Sequence, residues 1–276
     1  MAGKKLPMFI DGSLAHRLES TDALIGLDAI RVCAAKSTPP DATSMAVPGG
    51  QALYAGPGSP LTQVLGLGMS GEVLEEQFGR MEEFFLSRKS DICLELCPLA
   101  DRSVMSLIAT RGYALESFST MLIRKLYPTQ HEFPEGGISV ETAASTDAER
   151  WAEAIAEGFG VPAGEGNELR AFLSGLVHQP ETVCIHAKVD GITAGGGAMS
   201  VHDGVAALYG ASTIPAFRRR GVQIATIQAL VEAAWQRGCD IAFTLAEPGS
   251  TSQRNLERSD FKIAYTRAKM RKVFRS

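Results

Sequence analysis

One stretch, LYGASTIPAFRRRGVQIATIQALVEAAWQRGCDIAF (residues 208–243), constrains this chain more than any other. An apolar run ends at Thr213. A loop with three arginines, Arg218, Arg219 and Arg220, leads to Gly221, and a helical pattern then starts at once. It lasts to about residue 237, where Gly238 closes it ahead of a second apolar run. A helix N-terminus presents unpaired backbone N–H groups and about half a positive charge. Combined with a glycine that lets the main chain approach closely, it makes an anion cradle. The stretch is not a Walker loop, because no Gly-Lys-Ser/Thr follows, and it lacks the glycine spacing of a dinucleotide fingerprint.

The surrounding pattern gives the cradle a context. A length of 276 residues suits two domains of ordinary size. In the first half, helical periodicity over 14–36 precedes a Pro/Gly-rich stretch with an embedded strand pair. Strands near 62–67, 91–96 and 117–126 then alternate with helices near 71–89 and 103–111. The segment 127–137, with Pro128, Pro134, Gly136 and Gly137, reads as a linker. It divides the chain into domains at 1–127 and 138–276, joined by 128–137. The second half reads β-α-α-β-β-β-α-β-α-β. Its end repeats the end of the first: residues 92–113 and 241–261 are each an apolar strand, a proline, a short helix and a small-residue turn before an aromatic. Each is followed by a strand containing an Arg-Lys pair, which suggests a diverged duplication.

Charge and cysteines narrow the classes. A formal net charge of −4 argues against a nucleic-acid partner. No stretch approaches the roughly 20 apolar residues of a membrane span, and no signal peptide opens the chain. The expectation is a cytoplasmic protein, monomeric or homodimeric, with no membrane partner. The five cysteines (Cys33, Cys93, Cys97, Cys184 and Cys239) are odd in number and lack metal-like spacing, which suggests reduced, mostly buried thiols and no metal site. The basic C-terminal cluster of Arg267, Lys269, Arg271, Lys272 and Arg275 reads as a solvated strand and tail.

The stretch 218–225 resembles motif A of the GNAT acyltransferases, Gln/Arg-x-x-Gly-x-Gly/Ala after the fourth strand. Arg218 and Gly221 match the first two fixed positions, whereas Gln223 stands where the family has Gly or Ala. Residues 247–261 are similar to the strand-to-helix segment that flanks the thioester in that superfamily. The resemblance covers roughly 138–275. It implies a mixed α/β fold (an α+β mixed sheet) of two GNAT-like domains in tandem, with acetyl-CoA as cofactor. The pyrophosphate would lie on Arg218, Arg219, Arg220, Gly221, Val222, Gln223, Ile224 and Ala225. Pantetheine would pair with the strand edge at Ala211, Ser212, Thr213 and Ile214, near Ser252 and Asn255. The same edge N–H groups could stabilise an oxyanion.

The implied reaction is N-acetylation of a primary amine, on a small molecule or a peptide N-terminus, by direct attack on the thioester. The tyrosine that many relatives use as general acid is replaced here by Leu256, leaving Ser252 or a water. The fourth-strand glutamate of some relatives falls near Ala207. Tyr209 and Glu247 remain as candidate bases, Tyr209 equally readable as a cleft-lining aromatic and Glu247 as a carboxylate opening a helix. The first half has no basic loop where the cradle would be: Gly68-Met69-Ser70-Gly71 is followed by Glu72, Glu75 and Glu76, which would repel a pyrophosphate. It is expected to be a degenerate copy that walls the acceptor site or supports its neighbour. The alternative for the whole chain is a catalytically silent acyl-CoA-binding or regulatory module.

Overall fold

The computed structural model describes residues 9–36, 39–128, 137–162 and 164–273. The linker expected over 128–137 lies outside these residues apart from Pro128 and Gly137. The first half contains α1 (Gly12–Lys36), β1 (Thr43–Val47), β2 (Gly50–Tyr54), β3 (Gln63–Leu65), α2 (Glu75–Leu86), β4 (Ile92–Leu96), α3 (Arg102–Thr110) and β5 (Ala114–Lys125). The second contains β6 (Ile138–Thr142), α4 (Ala148–Gly158), α5 (Asn167–Leu176), β7 (Thr182–Val189), β8 (Ile192–His202) and β9 (Val205–Thr213). It continues with α6 (Val222–Gln236), β10 (Ile241–Ala246), α7 (Thr251–Arg258) and β11 (Lys262–Lys272).

All the described strands join one 11-stranded sheet, in the order β1-β2-β3-β4-β11-β5-β10-β9-β8-β7-β6. The two halves therefore exchange their last strands. β11 lies antiparallel between β4 and β5 of the first half, and β5 lies antiparallel between β11 and β10 of the second. The exchange carries apolar side chains across with it. Leu122 of β5 is buried in the cluster formed by α6, β10 and α7, while Ala268 and Met270 of β11 pack against the core under α2 and α3.

The 25-residue α1 ties the halves together a second time. Its Ala23, Ile30 and Cys33 pack with Leu53 and Leu65 of the first half, and its Ala15 and Leu18 pack on Val205, Ile241 and Phe243 of the second. Four of the five thiols are buried, and burial pushes Cys97 and Cys184 up to about 12.

The strand exchange also overturns the expected solvated basic strand. Arg267 is fully buried, donating through Nε to Glu19 (2.8 Å) and through Nη1 to Asp22 (2.7 Å), both on α1. Tyr265 donates its hydroxyl to the same Glu19 oxygen, and Lys269 pairs with Glu95 on β4. Inserted between strands of the other half, β11 meets that half's carboxylates instead of water. Among the described residues, no helix is long and apolar enough to cross a membrane.

Candidate active site

The site grows from β9 and the helix that follows it. β9 and β10 are parallel but pair only at Val205–Ala207 with Ile241–Phe243. Beyond that point β9 keeps β8 on one side and, among the described residues, has no strand partner on the other. A bulge accentuates the divergence: Gly196 faces Ser212 and Ala198 faces Tyr209, so β9 carries an extra residue there. Gly210 sits in this bulge at φ +67°, and a Cβ on it would meet nothing within 4 Å, so the backbone borders open space.

At the end of β9 the chain makes a short 3-10 turn, Pro215–Phe217, and reaches the arginine loop. Gly221 caps α6 at φ 88°, ψ 0°, a conformation a side chain resists. The first N–H to be satisfied in the helix is that of Ala225, which donates to the Gly221 carbonyl (3.0 Å). Ala225 is also fully buried, so this residue, expected in the cradle, lies behind it. Val222, buried as well, reaches the site only through its main chain. The stripe Val222, Thr226, Leu230 and Ala234, with Ile227 and Val231, fixes α6 on the sheet, and Gly238 ends it at φ +80°.

The three arginines divide their roles. Arg218 donates to the carbonyls of Thr213 (3.4 Å) and Gly158 (3.2 Å), tying the loop to β9 and to the end of α4. Arg220 donates to Asp190 (3.2 Å) and lies over the Phe217 ring. Arg219 is exposed at φ +65° and has no hydrogen-bond partner among the described residues, which leaves its guanidinium available to an anion. Ser212 donates to the Ile155 carbonyl (3.2 Å), and Ile214 donates its N–H to Ala194 (2.9 Å). Gln223 points across the gap to α7, where its Oε1 accepts from Asn255 Nδ2 (2.7 Å). α7 itself starts at Ser250, whose hydroxyl accepts from the Gln253 N–H (3.1 Å).

The gap between β9 and β10 opens into a cavity of about 470 Å³. Tyr209, Gly210, Ala211, Thr244, Gln223, Ser252 and Leu256 line one part of it. Tyr209 Oη and Ser200 Oγ are 2.6 Å apart, and Ser200 Oγ is 2.8 Å from Thr182 Oγ1. Burial pushes the Tyr209 phenol up to about 12, so it is a neutral hydroxyl at physiological pH and a poor base. Glu247 is exposed and does not line the cavity, so the two candidate bases are not brought together.

The rest of the wall was not anticipated residue by residue. Asp22, Ile25, Asp28 and Ala29 of α1, with Leu61, Gln63 and Leu65 at β3, face Phe172, Leu173 and Leu176 of α5. Asp28 accepts from His202 Nε2 (2.7 Å) and from Arg31 (2.7 Å). The one sequence signal was a pair of carboxylates, Asp22 and Asp28, in an otherwise apolar helical stretch.

The equivalent loop of the first half is shut. Gly68 donates its N–H to the Pro48 carbonyl (2.8 Å) and Met69 donates to Gly66 (3.1 Å). The β1–β2 turn crowds the loop: a Cβ on Gly49 would stand 2.7 Å from the nitrogens of Met69 and Ser70. Glu75 and Glu76 occupy the first turn of α2.

No family model matches the chain, and no curated protein matches it. Solved structures do. A GCN5-related N-acetyltransferase from Kribbella flavida superposes with a TM-score of 0.62 at 14% identity, over 90% of this chain and 96% of that one. A tandem GNAT protein from the clavulanic acid biosynthesis pathway, solved without AcCoA, gives 0.58 at 14% identity over 94% and 93%. A GCN5-related N-acetyltransferase from Sphaerobacter thermophilus gives 0.56 at 20% identity over 73% and 68%. The chain thus has the GNAT fold in its two-domain, tandem form.

Proposed function

We propose that the protein is an N-acetyltransferase that moves an acetyl group from acetyl-CoA to a primary amine by direct attack. The observation that carries this is a coincidence in space: the open α6 N-terminus at Gly221 stands at the same end of β9 as the gap between β9 and β10. An anion-binding helix start beside an unpaired strand edge fits a cofactor with a pyrophosphate and an amide-bearing arm. Arg219 and the N–H groups of Val222, Gln223 and Ile224 would hold the pyrophosphate. The free edge from Leu208 to Thr213 would pair with the pantetheine, with Asn255 and Ser252 flanking it. The shut loop of the first half supports one cofactor site per chain.

When bound, acetyl-CoA supplies an activated thioester whose thiol leaves with a pKa of about 8.5, so departure as thiolate at pH 7 costs only about 2 kcal/mol. This makes Leu256 tolerable where relatives carry an acid. The amine is the harder proton problem, because neutralising a lysine-type amine at pH 7 costs roughly 4.6 kcal/mol. The hydroxyl chain Tyr209–Ser200–Thr182 lies along the cavity wall and can pass a proton between its members without any of them becoming charged for long.

Calorimetric titration with coenzyme A, paired with thiol release over a panel of amines and peptides, tests the reading. Gly221→Glu should abolish cofactor binding, since it strains a positive-φ position and sets a carboxylate against the pyrophosphate. Unchanged affinity would sink the cradle assignment. Tight coenzyme A binding with no turnover on any amine would favour a silent acyl-CoA-binding module. That second reading draws on Leu256 at the acid position and on Glu247 lying outside the cavity.

A further inference from the structure

The cavity wall contributed by α1, β3 and α5 carries information about the acceptor. Of the described residues lining the cavity, only Asp22 and Asp28 are charged, and both belong to α1 of the first half. Among the described residues, no lysine, arginine or histidine lines it. Asp28 has both oxygens engaged, by Arg31 and His202. Asp22 has one oxygen, Oδ2, engaged by Arg267, and its Oδ1 has no partner among the described residues. The part of the lining drawn from α1, the β3 region and α5 is mostly hydrocarbon: Ile25, Leu61, Leu65, Phe172, Leu173 and Leu176, with Gln63 as a polar member.

We infer that the acceptor is a small amine with a single positive charge and a hydrocarbon body, whose ammonium is drawn to Asp22 while its chain or ring packs between α1 and α5. This rests on the acetyltransferase reading above and makes the first half the part of the molecule that selects the acceptor. The chemistry excludes competitors on stated grounds. A carboxylate-bearing acceptor such as an amino acid would meet the two carboxylates first, because the cations that pair with them, Arg267 and Arg31, do not line the cavity. A polyamine would bring several positive charges to one open carboxylate oxygen and leave the rest unpaired. A long acyl chain on the cofactor could use the hydrocarbon wall, but it would leave the open Asp22 oxygen unexplained.

The test is binding to the full-length protein saturated with coenzyme A, followed by calorimetry, so that it does not depend on turnover. The probes are 2-phenylethylamine, its alcohol 2-phenylethanol, leucine and kanamycin. The expected result is binding of 2-phenylethylamine about tenfold or more tighter than each of the other three. Asp22→Asn should reduce the preference of amine over alcohol to near parity and leave coenzyme A affinity unchanged. Comparing two ligands of one skeleton on the unaltered protein keeps the test decisive even if that variant fails to fold.

Equal binding of amine and alcohol, or tighter binding of leucine or kanamycin, would overturn the inference while leaving the cofactor site intact. Octanoyl-CoA binding tighter than acetyl-CoA, with phenylethylamine excluded, would assign the wall to an acyl chain instead. Failure to bind coenzyme A at all would overturn both readings.

Discussion

Tyr209 shows how a single side chain's surroundings decide its role. A phenol pushed up to about 12 by burial and bonded to Ser200 does not ionise near neutrality. It can hand a proton on, and the expected effect of Tyr209→Phe is therefore on kcat more than on the Kd for coenzyme A. General acid–base contributions of this kind are typically about 10²–10⁴-fold, and a relay in a site with other proton routes should sit near the lower end. If Tyr209→Phe left kcat unchanged in steady-state thiol-release kinetics, the relay would be refuted. His186 offers a second residue-level prediction, this one about stability. It is buried on β7 with Nδ1 unpartnered, and burial lowers its pKa below the ordinary imidazole value. The unfolded chain then binds the proton first, so stability is present above the ordinary value and is lost as pH falls from there through the folded value. His186→Leu should flatten that stretch of the stability–pH curve in urea titrations, and an unchanged slope would assign the acid sensitivity elsewhere.

At the scale of elements, the exchange of β5 and β11 sets what can fold alone. A chain ending at residue 128 would present β4 and β5 with no strand between them, and Leu122 would lose the α6 cluster that buries it. Such a fragment is expected to be largely unfolded by circular dichroism and hydrogen exchange, and to gain structure when 137–276 is co-expressed. A cooperatively folded isolated fragment would contradict the exchange. The elements themselves were legible in the sequence, because local rules write them. The glycine that opens α6 and the Gly238 that stops it act within a few residues. The start of α6 at Gly221 was legible for the same reason. The exchange was not, since nothing in residues 262–272 says which strands they will lie between. That is why Arg267 read as a solvated cation and is instead buried against Glu19 and Asp22. The acceptor wall was illegible on the same ground: Asp22 and Phe172 come together only after the halves have interlocked.

For the molecule as a whole, interlocking means that stability should be shared between halves that sequence alone would separate. One such link is Arg267, which joins β11 to α1 at a point buried from solvent. Removing one partner of a buried ion pair while leaving the other in place typically costs about 3–5 kcal/mol. Against a total of about 5–15 kcal/mol for a folded domain, that is a large fraction. In two independent domains joined by a linker, Arg267→Ala would weaken one and leave the other's unfolding where it was, so calorimetry would show two endotherms moving apart. In the continuous sheet seen here, loss of Arg267 frees both β11, which fills the gap between β4 and β5, and α1, which covers both cores. A single endotherm shifted downward by on the order of ten degrees is therefore expected. Two resolved endotherms would mean that the halves unfold separately. The acceptor pocket depends on the same link, because Arg267 holds Asp22 at the cavity wall. Arg267→Ala, assayed below its own unfolding temperature, should therefore weaken amine binding without changing coenzyme A affinity, the one site being built across the halves and the other within the second alone.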